Sequence, residues 1–118
     1  MGQQPLDYIE MPSKDFDGDQ QFFEKVFDWR FRAYGENYLA FWQAFPGLKG
    51  GFYRSEQVAV ASGGAPLLIF YSDTLETTLE HVLAAGGVLS KPIFPFPGGR
   101  RFQFFAPGGA ELGVWSDV

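Results

Sequence analysis

The order strand, helix, strand, strand, strand occurs twice in this chain, with a period of about sixty residues. In the first copy, "PLDYIEMP" (5–12) alternates Ile9 and Met11 with Tyr8 and Glu10, which gives a strand with two distinct faces. "DFDGDQQFFEKVFDW" (15–29) follows as a helix with Phe16, Phe23, Val26 and Phe27 on one stripe. Asp15 is available as its N-cap, and Asp17 and Asp19 suit the positive end of the helix dipole. Gly18 weakens the first turn by about 1 kcal/mol relative to alanine. Three short strands complete the copy: "WRFRAY" (29–34), "NYLAFWQA" (37–44) and "GGFYRS" (50–55). The turn formers Gly35-Glu36 and Pro46-Gly47 separate them.

A linker, "EQVAVASGGA" (56–65), leads into the second copy. "PLLIFYS" (66–72) is a strand, and "DTLETTLEHVLAAGG" (73–87) is a helix with Leu75, Leu79, Val82 and Leu83 inward and Gly86-Gly87 as its stop. "VLSKPIF" (88–94), "RRFQFFA" (100–106) and "ELGVWS" (111–116) supply three more strands. Neither copy alone can cover both faces of its sheet, so the two must pack together. The expected fold class is α+β: two tandem βαβββ modules forming curled mixed sheets around a cup, helices outside. At 118 residues the chain makes one domain, with module one at about 6–55, the linker at 56–65 and module two at about 66–117. Fourteen Phe, five Tyr and three Trp give ring area for a broad core and a surplus to line a cavity.

A formal charge of −5, with basic pairs only at Arg30/Arg32 and Arg100/Arg101, excludes a nucleic-acid track. Without cysteine there is no disulfide, thiolate nucleophile or thiolate zinc site. No apolar run approaches a membrane span, and "MGQQPLDY" lacks the regions of a signal peptide, so a soluble cytoplasmic protein is expected. The glycine pairs in "SGG" (62–64), "PGGRR" (97–101) and "PGG" (107–109) read as turns, since none opens a helix as a phosphate loop does. His81 lies off the apolar stripe and reads as a solvated helix residue.

The duplicated pattern, "VFDW" and "AAGG" closing the helices, and "FPGGRRFQFFAPGGAELGVWS" at the end together resemble the vicinal oxygen chelate superfamily, from about residue 6 to 116. That superfamily includes glyoxalase I, bleomycin-resistance proteins, extradiol dioxygenases and fosfomycin-resistance transferases. Ala106 and Ala110 stand where small glyoxalase-like modules carry Asp and Asn. In metal-using members, the resemblance implies ligands on the first strand of each half and on the last strand, at Tyr8, Leu67 and Gly113, with a fourth around Gly50 to Tyr53. Leu and Gly offer no donor and a neutral phenol is a poor one. The expectation is therefore that the metal centre is lost and no cofactor is used.

Strand parity then gives a cup lining without metal: Tyr8 and Glu10 on the first strand, Leu67 and Ile69 on the fifth, Arg101, Gln103 and Phe105 on the seventh, and Glu111, Gly113 and Trp115 on the last. Trp42 and Tyr53 join from the third and fourth strands. Each has a plainer reading, as a paired surface charge for Arg101 or as packing for Tyr8 and Trp115. The lining suits a flat or partly anionic small molecule, so the expected function is metal-independent binding, as bleomycin-resistance proteins sequester drugs. The alternatives are a lyase, isomerase or dioxygenase-type enzyme, with relocated metal ligands or with acid–base groups such as Glu10, Glu111 and Tyr8, and a structural subunit using aromatic surface such as Phe22 at an interface. Catalytic residues are unassigned. By analogy with the superfamily a homodimer is expected.

Overall fold

The computed structural model describes residues 2–43 and 47–118. The predicted strand end at Ala44 and the turn residue Pro46 lie outside the described residues. Module one is β1 (Ile9–Ser13), α1 (Phe16–Phe27), β2 (Trp29–Ala33), β3 (Tyr38–Gln43) and β4 (Lys49–Arg54). Module two is β5 (Leu68–Tyr71), α2 (Leu75–Ala84), β6 (Val88–Phe96), β7 (Gly99–Phe105) and β8 (Glu111–Ser116). Sheet one has the order β1-β4-β3-β2 and sheet two the order β5-β8-β7-β6. In each the first strand pairs parallel to the last, and the other pairs are antiparallel. This is the duplicated βαβββ architecture that the two sequence copies predict.

Local chemistry explains the helix ends. The Asp15 carboxylate accepts the Gly18 amide at 2.9 Å, so α1 starts on a side-chain cap. It stops at Asp28, whose φ of 57° lies in the left-handed region. The inward face of sheet one carries Trp29, Leu39, Phe41 and Phe52, and that of sheet two carries Phe102, Phe104, Leu112 and Val114, all buried. Helix α1 touches both sheets. Phe23 stacks on Trp29 at 4.5 Å in module one, while Phe22 meets Phe104 at 5.6 Å and Phe27 stacks on Phe70 at 3.8 Å in module two.

Two expectations from helical stripes need correction. Phe22, read as a candidate interface aromatic, is 1% exposed, because the second sheet covers the flank of α1 that one module would leave bare. Leu83, read as inward, is 47% exposed, because α2 turns Leu75 and Val82 to the core with Leu79 beside them and leaves its neighbour outside.

A buried polar knot also ties the modules together. Asp19 is fully buried and accepts from the Ser13 hydroxyl at 2.6 Å and from the Gly108 amide at 2.7 Å. Beside it the Lys14 amide donates to the Gly108 carbonyl at 3.0 Å. A Cβ on Gly108 would land on Asp19 and Ser13, so glycine is required by the close approach. Burial raises the Asp19 pKa to about 6; the Ser13 and Gly108 hydrogen bonds oppose that rise and the Asp15 charge adds to it.

The outer margins of the sheets are irregular or charged. Strand β6 contains Pro92 and Pro95, and its register against β7 shifts twice. Strand β2 presents exposed Arg30 and Arg32. Among the described residues no helix is long and apolar enough to cross a membrane.

Candidate functional site

In each module the helix takes one face of the sheet and leaves the other open. Cross-strand pairing fixes what that open face shows, since directly opposed residues share a side. On sheet one, Tyr38 opposes Tyr53, Ala40 opposes Gly51, and Trp42 opposes Lys49, with Glu10 beside Gly51 and Arg30 beside Trp42. On sheet two, Arg101 opposes Trp115, Gln103 opposes Gly113, and Phe105 opposes Glu111, with Ile69 and Tyr71 alongside on β5. Ten of the twelve residues read as lining therefore fall on faces turned away from the helices or at their margins, and Tyr8, just before β1, joins sheet one through the Tyr38 hydroxyl. Leu67 falls just before β5 and lines none of the cavities described below.

These residues do not converge on one cavity. Glu10, Tyr53 and Glu111 line a pocket of about 410 Å³ between β1, the linker and the start of β5. Tyr8 and Trp42 line a shallow hollow of about 650 Å³ on sheet one, with Tyr34 and Tyr38. Ile69, Arg101 and Trp115 line a third of about 280 Å³ on sheet two, walled by Phe96.

Glu111 is engaged from three sides. It accepts from the Ala61 amide at 2.9 Å, from Gln103 Nε2 at 3.0 Å and from the Ser90 hydroxyl. Burial opposes its ionisation, but these hydrogen bonds and the Lys91 charge outweigh that and hold the carboxyl below the ordinary glutamate value. It is thus a fixed anion that anchors the linker to sheet two. Gln103, 2% exposed, serves that anchor.

On sheet one, Tyr38 links Tyr8 and Glu10. Its hydroxyl donates to Glu10 Oε2 at 2.8 Å and lies 2.6 Å from the Tyr8 hydroxyl, which must then donate to it. Partial burial, then the bonds to Tyr8 and Glu10, push the Tyr38 phenol above its ordinary pKa. Gly51 makes this possible, since a Cβ there would land on the Tyr38 ring. At Gly113 the nearest atom to an added Cβ is the Phe102 carbonyl oxygen, 3.3 Å away. Gly51→Ala is accordingly expected to cost about 1–3 kcal/mol by overpacking, and Gly113→Ala less. Urea denaturation of both variants checks this, and equal costs would mean that Tyr38 does not fill the space.

A scan against protein-family models and a search of curated proteins find no match. Solved structures do match. A glyoxalase-related enzyme from Fulvimarina pelagi superposes with a TM-score of 0.75 at 17% identity, over 97% of this chain and 88% of that one. A glyoxalase/bleomycin resistance protein/dioxygenase family enzyme from Burkholderia phytofirmans PsJN gives 0.76 at 16%, over 96% and 100%. A genomically encoded fosfomycin resistance protein from Listeria monocytogenes gives 0.77 at 19%, over 99% and 96%.

The chain has the vicinal oxygen chelate fold. A mutant of the Listeria protein, with a TM-score of 0.77 at 17% identity, over 97% of this chain and 90% of that one, was crystallised with Mn(II) and 1S,2S-dihydroxypropylphosphonic acid. The strand register sets Glu10 beside Gly51 and Ile69 beside Gly113, so the cross-strand partner of Gly113 is Ile69, two residues beyond Leu67. These four positions offer a single carboxylate, already bonded to Tyr38. Among the described residues no three His, Cys, Asp or Glu side chains come together. His81 is exposed on α2.

Sequence reasoning missed Tyr38, Phe94 and Phe96. Tyr38 shares the face of Trp42, so parity along "NYLAFWQA" contained the signal. Phe94 and Phe96 sit on β6, where two register shifts interrupt alternation.

Proposed function

We propose that this protein binds a small organic molecule on its open sheet faces without a metal ion. The observation that carries the reading is the donorless register set Gly51, Ile69 and Gly113, on faces otherwise rich in aromatic rings. Aromatic walls with few polar groups suit an amphipathic or planar guest. Glu111 supports binding over acid–base catalysis, because its oxygens already accept three donors. Sequestration of the kind named for bleomycin resistance is the functional class that fits.

Calorimetric titration with Zn(II), Ni(II), Mn(II) and Fe(II) is expected to give no stoichiometric binding. One equivalent bound tightly, and lost in Glu10→Gln, would overturn the metal-free reading. We propose also that the chain forms a homodimer in the cytoplasm. The exposed rings of Trp42, Tyr53 and Tyr71 support an assembly that covers the faces. Light scattering at micromolar concentration should return twice the chain mass, and a monomer would exclude this assembly.

A further inference from the structure

Arg100 and Arg101 are neighbours on β7 with opposite surroundings. Arg100 pairs with the Glu76 carboxylate and also donates to the Val118 carbonyl. Arg101 points to the open face, its Cζ 5.1 Å from the Phe94 ring centroid and 5.6 Å from that of Phe96. Aromatic faces attract a guanidinium but leave its in-plane N–H groups without acceptors. Among the described residues Arg101 makes no hydrogen bond and no ion pair, and its Nε is shielded from solvent.

At the two ends of β8, Glu111 holds three donors and Asp117, just beyond the strand, accepts the Tyr71 hydroxyl at 2.5 Å. Lys91 lies 5.9 Å from the same Phe94 ring and adds positive charge. Beside Arg101, Trp115 forms an apolar wall, with Tyr71 edge-on to it at 5.1 Å and Ile69 and Phe96 closing the hollow.

We infer that this hollow is a seat for the anionic group of a planar organic ligand, a carboxylate or sulfonate on one or two fused rings, with Arg101 as its cation and Trp115 against its ring. This rests on the reading that the chain binds an organic guest. The planar guanidinium fork matches a two-oxygen anion. The volume of about 280 Å³ matches a small ring system.

The test is fluorescence titration with two probes of similar shape, anilinonaphthalene sulfonate and the uncharged N-phenylnaphthylamine. The sulfonate is expected to bind once per chain, at least about tenfold more tightly than the amine. Arg101→Met should remove that preference, bringing the ratio of the two affinities to about one, with near-ultraviolet circular dichroism checking the fold. Arg101→Gln serves the same purpose if Arg101→Met does not fold. Equal binding of both probes, or a sulfonate preference that survives in the variant, overturns the anion seat and leaves organic binding intact. If neither probe binds the unmodified protein, the binding reading for this face fails, and the seat with it.

Discussion

Replacing Asp19 with alanine at pH 5 is expected to cost about 3 kcal/mol of folding free energy, because the Gly108 amide loses its acceptor and the Ser13 hydroxyl its hydrogen-bond partner in a fully buried place. The cost should be smaller at pH 8. With a folded pKa of about 6 against 3.8 for an ordinary aspartate carboxyl, the folded chain binds a proton between those values that the unfolded chain does not. Stability therefore rises as pH falls through about 6 and is lost again as pH rises, by on the order of 3 kcal/mol in all.

Two other carboxylates run the opposite way. Glu76 and Glu111 are held below their ordinary values, so their contribution is present above about 4.5 and lost below it. A stability maximum near pH 5 is the expected result. Asp15 and Lys14 are the charged residues flanking the Asp19 knot, and the facing turn, Ala106 to Ala110, contributes none. Asp19→Asn mimics the protonated acid, accepting from Gly108 and donating to Ser13. It should flatten the profile and exceed the parent above pH 6. Urea midpoints from pH 4.5 to 8 measure this; stability that declines steadily from pH 7 to 5 in the parent would refute the buried acid.

Phe22→Ala should cost about 4 kcal/mol, the range for emptying a large ring from a closed core. Its ring lies 5.1 Å from Phe23 and 5.6 Å from Phe104, so it bridges the helix of one module to the sheet of the other. For a chain of this size that is about a quarter or more of a typical total of 5–15 kcal/mol. Leu83→Ala, at an exposed site, should stay within about 0.5 kcal/mol. Urea denaturation ranks the two, and a larger loss at Leu83 would mean that the modules do not join through α1.

What the sequence displays well is alternation and repeat. The alternation of Ile9 and Met11 with Glu10 marks the two faces of β1, and the same holds along β7 and β8. Legibility stops where partners are distant or alternation breaks. Asp19 reads as a helix-end acid because its acceptor role depends on Gly108, 89 residues away. Gly51 lies in the stretch from Gly50 to Tyr53 that reads as lacking a fourth ligand, when its absent side chain also leaves room for the Tyr38 ring. Phe94 pairs with Arg101 only after the β6 register slips, which no two-residue count anticipates. The 410 Å³ pocket takes its walls from both modules and the linker, which neither module's pattern encodes alone, whereas the other two hollows each lie on one sheet.

The prolines of β6 have a consequence for behaviour in crowded solution. A rim strand that lacks amide donors at Pro92 and Pro95 and slips register twice gives an incoming strand no continuous ladder, and at the β2 edge of the other sheet exposed arginines repel their own copies. Copies of this chain that meet at high concentration can adhere through side chains, but these rims cannot template the backbone-to-backbone growth that leads to fibrils.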